Sequence, residues 1–496
     1  MKFKIRPFFK DVSFTFITQG IVLIAFFIIY RLIAKKFGPE GVGEYSLVKK
    51  VIGFLQPILF LGLGIGLPRY IAMSQNKEQR SSYIKIGGSV VAVFTFVFLI
   101  FINLSKDYFA KIFFGTINYR NLVLPFSFFL AGLILHSLVY SYFRGRLFVK
   151  TFNSLQIINI AFVPIVILIF VRNITFEKLI TLIGITTIVI SFITSLFFIK
   201  EIFGFIEKTQ IRKSLKELLI YSLPRVTGSF AHAALLSVGP IFAAHLATIQ
   251  EVGYLSVSQG LLGSVGAMVT PLGIILLPKV SNLMSKKREE EIKENLNFLI
   301  SAIFQLSIFI SLQLIIFTDI IIKYWLGPDF KDAVIIMQVI FSSLFFYLLY
   351  GTTESILDAT KVEPINTINL VISLGVFLFV SMVLLFLIKS LPPVIGLSLA
   401  LTTSIWCLGI LSYISIRKIY SEKFSKDLKY ILIALFINVV LGKLTILMKP
   451  FLILNFYYLI IYEVIIAGIY LSILWIIKTD WLRQIPLKII TKKAGR

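Results

Sequence analysis

The sequence predicts an all-α integral membrane protein of about 14 transmembrane helices, arranged as two parallel six-helix repeats plus two C-terminal helices. Three observations support this class: the composition, the length of the apolar runs and an internal repeat. Hydrophobic residues make up 58% of the 496 residues, charged residues 15%, and the mean hydropathy is +0.93. Because soluble domains carry about a quarter charged residues, this chain could not cover its surface with polar groups, and lipid must be its solvent.

The apolar runs have the length that a bilayer requires. Runs of about 20 residues match the roughly 30 Å hydrocarbon core. Backbone groups in lipid must be bonded internally, which leaves helices or closed barrels, and the absence of strict alternation favours helices. The predicted spans are 11–34, 46–72, 84–104, 120–143, 152–171, 178–199, 217–245, 252–279, 295–322, 333–356, 365–389, 393–416, 429–448 and 451–477.

An internal repeat appears at an offset of 210 residues. The matched residues are a loop glycine, a serine, a helix glycine and a terminal Leu-Pro-basic triplet. They are Gly43, Ser46, Gly53, Leu67, Pro68 and Arg69, which align with Gly253, Ser256, Gly263, Leu277, Pro278 and Lys279. Six spans separate equivalent points, so both repeats insert with the same orientation, as in parallel-repeat transporters. We therefore predict a six-helix lobe over 1–210, a second over 211–420, and two additional helices with a basic cytoplasmic tail over 421–496.

The formal net charge of +25 does not indicate nucleic-acid binding. The basic residues are spread over many short loops and form no single patch. The positive-inside rule and attraction to anionic lipid account for them. With the N-terminus inside, roughly 33 of the 49 Lys and Arg residues fall on the inner side. The sequence therefore predicts a multi-pass protein of the cell membrane, with both termini cytoplasmic and membrane lipids as partners.

Arg225 is the strongest candidate for a functional charge inside a span. It lies roughly two turns inside the cytoplasmic end of the seventh span, next to Pro224. An ionisable group at such depth is costly and by default faces a water-filled cavity or the bundle interior. At helical spacing Arg225 shares a face with Ser229 and His232. The alternative interpretation is that Arg225 snorkels to the inner interface.

The repeat places further polar side chains on equivalent faces of the two lobes. Subtracting 210 maps Arg225 and Ser229 onto Thr15 and Gln19 of the first span. These residues, together with Lys49 and Gln56 of the second span and Gln259 of the eighth, are predicted to line a cavity between the lobes. The alternative interpretation is that each Thr or Gln makes a helix–helix hydrogen bond within the bundle.

Enzyme and cofactor signatures are absent from the sequence. It contains no HExxH motif, no P-loop and no GxSxG in a strand–helix setting. We therefore predict neither catalytic residues nor a cofactor or bound metal. Any energy would come from an ion gradient, from disposal of the substrate or from a partner.

Two segments resemble a known family. The loop Phe37-Gly-Pro-Glu-Gly-Val-Gly-Glu-Tyr-Ser46 and the glycine-rich second span ending in Leu67-Pro68-Arg69 are similar to polysaccharide-biosynthesis exporters. These exporters are lipid-linked oligosaccharide flippases of the multidrug/oligosaccharidyl-lipid/polysaccharide (MOP) superfamily. The resemblance implies two lobes around a cationic cavity, alternating access, and a glycan on a polyprenyl phosphate or diphosphate as substrate. Glycan-assembly enzymes are the protein partners it implies. Related flippases tend to have several basic residues in the cavity, whereas Arg225 is the one central arginine evident here.

The first functional hypothesis is thus a flippase that moves a polyprenyl-(di)phosphate-linked oligosaccharide from the cytoplasmic to the outer face for surface-glycan synthesis. A cation-coupled multidrug antiporter of the same superfamily is the first alternative, although it should carry buried carboxylates in its spans. A membrane glycan polymerase or ligase would need a sizeable outward loop, and no outward connection is long enough. A non-transporting assembly subunit is the remaining alternative.

Overall fold

The computed structural model describes residues 5–202, 208–267, 289–360, 364–420, 425–452 and 456–477, and side chains within these ranges except near some of their ends. These residues are almost entirely helical and contain no β-strand. The all-α membrane class is therefore confirmed.

Within the described ranges, the first part of the chain forms ten α-helices. They are α1 Ile5–Leu59, α2 Leu63–Met73, α3 Lys77–Leu104, α4 Lys106–Phe114, α5 Val123–Gly145, α6 Val149–Gln156, α7 Val163–Phe170, α8 Phe176–Ser195, α9 Ile199–Ile202 and α10 Lys208–Leu246. Short 3₁₀ turns, Ile117–Leu122 and Leu196–Phe198, precede α5 and follow α8, and a π-helix, Ile157–Phe162, joins α6 to α7.

The second part contributes nine further helices within the described ranges. They are α11 Ile249–Ala267, α12 Glu289–Ile316, α13 Thr318–Trp325, α14 Ala333–Phe341, α15 Leu344–Thr360, α16 Ile365–Leu387, α17 Pro393–Tyr420, α18 Ser425–Leu452 and α19 Phe456–Ile476. The helices α18 and α19 pack on α12 through a separate apolar cluster that includes Phe309, Ile437 and Tyr470.

Helix breaks explain why the number of spans differs from a simple count of long helices. By length and composition, 10 helices could cross a membrane, or up to 12 if two bent pairs are included. The helix α1 contains the first predicted span and the first part of the second, which meet at a kink where Gly38 has a non-helical φ of 65° and is followed by a proline. The rest of the second predicted span forms α2, after the break at Leu61 and Gly62. The eighth predicted span begins in α11 and continues into residues that the structure does not describe. The bent pairs, at 64° and 45°, correspond to the ninth and tenth predicted spans.

Several contacts between the two predicted repeats are related by the same offset of 210 residues. Gly43 and Gly253 lie directly against each other, since a Cβ on Gly253 would be 2.8 Å from the Gly43 nitrogen. Lys50 donates to the Leu236 carbonyl at 2.7 Å. The equivalent pair, Gly260 and Phe26, also meets, with a Cβ on Gly260 3.0 Å from the Phe26 ring. A twofold axis along the membrane normal would produce this pairing. The bounds of the three predicted segments stay a prediction.

Candidate functional site

The candidate site lies along the seam where α1, α2 and α3 meet α10 and α11. One end of the seam is closed by backbone packing, which we call the glycine contact: Gly43, Ile249 and Gly253. A methyl group on Gly43 would overlap the backbone carbonyl of Ile249. Small residues permit helices to approach this closely, so the two backbones meet here without room for a side chain on Gly43.

The helix α10 continues the seam along α2. Leu61 and Gly62 have positive φ values of 50° and 69°, and they separate α1 from α2. This break brings the backbone of Gly62 against the Ser222 carbonyl, where a Cβ would overlap the carbonyl oxygen. Glycine is the residue that accepts both the left-handed conformation and the close approach. The break thereby sets the position of the end of α2.

The other end of the seam holds a group that we call the arginine–tyrosine cluster: Arg69, Tyr221 and Arg225. The Arg225 guanidinium carbon lies 3.6 Å from the centre of the Tyr221 ring, and that of Arg69 lies 4.3 Å away. Arg69 Nη1 also donates to the Tyr221 hydroxyl at 2.8 Å, and Arg225 Nη1 donates to the Tyr221 carbonyl at 2.8 Å. One aromatic ring therefore holds two guanidinium groups in place.

Arg225 lies on a different face of α10 from the exposed apolar side chains. Successive residues of an α-helix are about 100° apart. The exposed apolar side chains Ile220 and Leu223 therefore lie on roughly the opposite side of the helix from Arg225. On the flanks of the Arg225 face, Ser222 packs on α2 and Gly228 packs against Thr367 of α16. The exposed guanidinium accordingly faces the region between α2 and α16.

Neither arginine of the cluster pairs with a carboxylate within the described part of the chain. The nearest acidic side chain along α10, Glu217, instead accepts a hydrogen bond from the Tyr83 hydroxyl at 2.5 Å. A second polar contact joins the same two helices, because Ser82 Oγ donates to Ser214 Oγ at 2.8 Å. The cluster is thus a pair of exposed positive charges beside two satisfied polar contacts between α3 and α10.

The structure brings Ser229 and His232 to the same side of α10 as Arg225. Ser229 and His232 are both half-buried. The His232 ring lies 5.8 Å from the ring of Tyr350 on α15. Its Nε2 atom is buried without a hydrogen-bond partner among the described residues. This face therefore carries a hydroxyl about one turn from Arg225 and a buried imidazole about two turns from it.

Lys49 and Gln259 occupy equivalent positions on α1 and α11, away from the cluster. Lys49 is half-buried, and its ammonium lies 5.8 Å from the Tyr45 ring. Gln259 is 1% exposed, and both its amide atoms lack a partner among the described residues. Gln259 is thus a buried polar group with unused hydrogen-bonding capacity, which is costly in an apolar surrounding.

The remaining predicted residues lie within the first lobe. Thr15 is buried and accepts a hydrogen bond from Asn153 at 3.2 Å. Gln56 donates to Ser137 at 2.7 Å, and Gln19 is half-buried. Thr15 and Gln56 therefore make the helix–helix hydrogen bonds that were the alternative interpretation. A role in substrate binding stays a prediction for all eight residues.

Sequence reasoning did not include Arg69 and Tyr221 among the site residues. Arg69 is one of the basic residues counted on the inner side by the positive-inside rule. Two signals in the sequence point to the cluster: Arg69 closes the repeated Leu-Pro-basic triplet, and Tyr221 is four residues before Arg225. Four-residue spacing puts two side chains on one helical face, but nothing local places Arg69 beside them.

Comparison with solved structures identifies the same architecture. The chain superposes on "Lipid II flippase MurJ, inward closed conformation" with a TM-score of 0.70 at 16% identity, covering 93% of this chain and 99% of that one. An inward-facing multidrug resistance MATE family transporter of the MOP superfamily gives 0.66 at 14% identity, covering 81% and 94%. A eukaryotic MATE transporter gives 0.60 at 12% identity, covering 86% and 98%. At these identities the likeness establishes the fold.

Comparison at the sequence level identifies the family. No curated protein matches the chain. The family model described as "Polysaccharide biosynthesis protein" matches residues 8–284 of 496, a region that includes both segments on which the resemblance was based. The chain therefore belongs to the polysaccharide biosynthesis protein family and has the transporter fold of the MOP superfamily.

Proposed function

We propose that this protein is a flippase that moves a polyprenyl-(di)phosphate-linked oligosaccharide from the cytoplasmic to the outer face of the cell membrane. The observation that carries the proposal is the arginine–tyrosine cluster. It places two guanidiniums, without carboxylate partners in the described part of the chain, at one end of the seam. Planar guanidiniums match phosphate oxygens in geometry and charge, so the cluster fits the phosphate of such a substrate.

The two ends of the seam support loading from the side of the cluster. The glycine contact leaves no space for a ligand at its end. Counting basic residues puts the cluster end at the cytoplasm, with both termini on that side. The substrate phosphate would bind Arg69 and Arg225, while Ser229 would hydrogen-bond the adjoining sugar. His232, whose Nε2 is buried in this state, would join it when the lobes separate. Alternating access would then require the cluster end to close and the glycine contact to open.

The remaining expectations about function follow from this proposal. The solved structures that the chain resembles are transporters and a flippase. We infer that the protein has no catalytic step of its own and that enzymes of glycan assembly supply its substrate.

A cation-coupled multidrug antiporter is the second candidate, because two of these structures are MATE transporters. The charge of the cluster disfavours it, since two exposed guanidiniums repel a cationic drug.

The test is transport in proteoliposomes loaded with a fluorescent polyprenyl-diphosphate oligosaccharide. Arg225→Ala is expected to lower the rate by about tenfold or more, the size of one lost charge-assisted hydrogen bond. Arg212→Ala, an exposed arginine on the same helix, is the matched control and should transport normally. Normal transport by the Arg225→Ala protein would contradict the assigned role of Arg225. Transport of a lipophilic cation instead of the oligosaccharide by the wild type would establish the antiporter.

A further inference from the structure

A pocket lined by Arg146 and Glu201 lies in the first part of the chain, on helices that do not carry the arginine–tyrosine cluster. Its volume is about 430 Å³, and α5, α6 and the region around α9 line it. The apolar spans 117–145 and 176–198 end beside it, and the span 149–170 begins there. The pocket therefore lies where apolar helices give way to polar loops, which is the headgroup level of a bilayer.

The charge of the pocket is not balanced. Glu201 is 10% exposed and accepts from Arg146 Nη1 at 3.0 Å, while Arg80 Nη2 lies 3.7 Å away. Tyr142 donates to the second oxygen of Glu201 at 2.9 Å. The Nε atom of Arg80 is buried without a hydrogen-bond partner in the described part of the chain. Two guanidiniums thus share a single carboxylate, and one positive charge remains beside the pocket.

The wall of the pocket is aromatic and exposed. Phe148 is 46% exposed and Phe197 is 83% exposed. The Arg146 guanidinium lies 5.0 Å from the centre of the Phe148 ring. Between them Leu147 has a φ of 58°, a strained conformation for a bulky residue. This turn places Arg146 and Phe148 side by side at the edge of the pocket, so that a positive charge lies next to an apolar surface.

We propose that this pocket binds the phosphate of an anionic membrane phospholipid. The phosphate would be held by Arg146, which lines the pocket, while Arg80 neutralises Glu201, and the acyl chains would lie along Phe148 and Phe197. Arginine is suited to phosphate oxygens, and aromatic side chains are favoured at the bilayer interface. A purely structural ion pair would need only one of the two arginines. The site is independent of the transported substrate, since it contains no residue of the arginine–tyrosine cluster.

The test measures lipid retention by native mass spectrometry of the purified full-length protein, with phosphatidylglycerol and phosphatidylcholine in equal amounts. The wild type is expected to retain phosphatidylglycerol preferentially. Arg146→Gln should weaken that retention by about tenfold. Arg144→Gln removes the same charge from an exposed neighbour that does not line the pocket, and it should leave retention unchanged. If Arg146→Gln is not monodisperse, Arg146→Lys, which keeps the ion pair but loses the planar fork, should bind several-fold more weakly.

Glu201→Gln separates a lipid site from a structural ion pair. The amide oxygen can still accept the hydrogen bond from Arg146, and the amide NH2 group can donate to the Tyr142 hydroxyl, but the competing negative charge is gone, so phosphatidylglycerol should bind more tightly than in the wild type. Phe197→Ala removes part of the pocket wall and should weaken retention of the lipid. Arg225→Ala changes a residue outside the pocket and should leave retention unchanged. Unchanged retention in both Arg146 variants, or weaker retention in Glu201→Gln, would overturn the proposal. Displacement of the lipid by millimolar inorganic phosphate would instead assign the pocket to a free anion.

Discussion

The glycine contact and the arginine–tyrosine cluster are two ends of the same seam, and they are built in opposite ways. At the glycine contact, Gly43 and Gly253 bring two backbones together without charge or intervening side chains. At the cluster, Arg69 and Arg225 are exposed and held by a single tyrosine ring. The first end is a close contact between two backbones, and the second end carries two positive charges.

This difference assigns separate tasks to the two ends. A backbone contact between glycines can form or break without desolvating a charge, which suits a barrier. Guanidiniums that remain hydrated can exchange water for phosphate at little cost, which suits a binding site. The predictions below disturb one end at a time.

The largest expected effect on transport comes from a disulfide cross-link between α3 and α10 near the cluster. Ser82 and Ser214 are fully buried and their hydroxyl oxygens lie 2.8 Å apart, so cysteines at both positions can meet the short reach of a disulfide. In a Cys407→Ser background, oxidation of the Ser82→Cys/Ser214→Cys protein should stop transport, and reduction should restore it. The measurement is proteoliposome transport before and after reductant.

The single Ser82→Cys protein is the control, and oxidation should not affect it. Undiminished transport by the cross-linked protein would show that this part of the seam stays closed throughout the cycle.

The second effect concerns the glycine contact. Gly43→Ala adds a methyl group that overlaps the Ile249 carbonyl, and overpacking of this kind costs about 1–3 kcal/mol. Transport should fall by about tenfold, since the closed contact is disfavoured by that amount. The rate and the melting temperature of the purified protein are both measured.

Gly20→Ala is the matched control on the same helix. A Cβ at Gly20 meets nothing within 4 Å, so the same change should leave transport intact. If both alanine variants behaved alike, close backbone approach would not be what closes this end.

The third effect is the coupling between the two arginines. Both guanidiniums contact the same tyrosine ring, so the losses of transport rate caused by Arg69→Ala and by Arg225→Ala should not be additive. We expect a coupling energy of about 0.5–3 kcal/mol from a double-mutant cycle. The pair Arg69→Ala and Arg212→Ala, which shares no ring, should add within error. Additive losses for the first pair would mean that the two guanidiniums bind separately.

The smallest effect is expected from Tyr221→Phe. The ring that holds both guanidiniums stays, and only the hydrogen bond from Arg69 at 2.8 Å is lost. Loss of one such bond costs about 1 kcal/mol, or roughly a fivefold lower rate. Tyr221→Ala removes the ring as well and should reduce transport further. Equal losses in the two variants would assign the contribution of Tyr221 to its hydroxyl alone.

The sequence by itself determined the membrane class, most helix positions and the repeat. These properties depend on composition, on apolar length and on residues at a constant offset, all of which are local or periodic. The pairing of Gly43 with Gly253 was therefore implicit in the alignment. Arg225 could also be identified from the sequence, because a charge within an apolar span stands out whatever surrounds it.

Only the tertiary structure decided which polar groups meet. Thr15 and Gln56 look alike on a helical wheel whether they face a cavity or a neighbouring helix, and packing placed them against Asn153 and Ser137. Arg69 reaches Tyr221 because the break at Gly62 sets the end of α2 against α10. Contacts between residues about 150 positions apart depend on how helices pack, and helix packing is not encoded in any one helix.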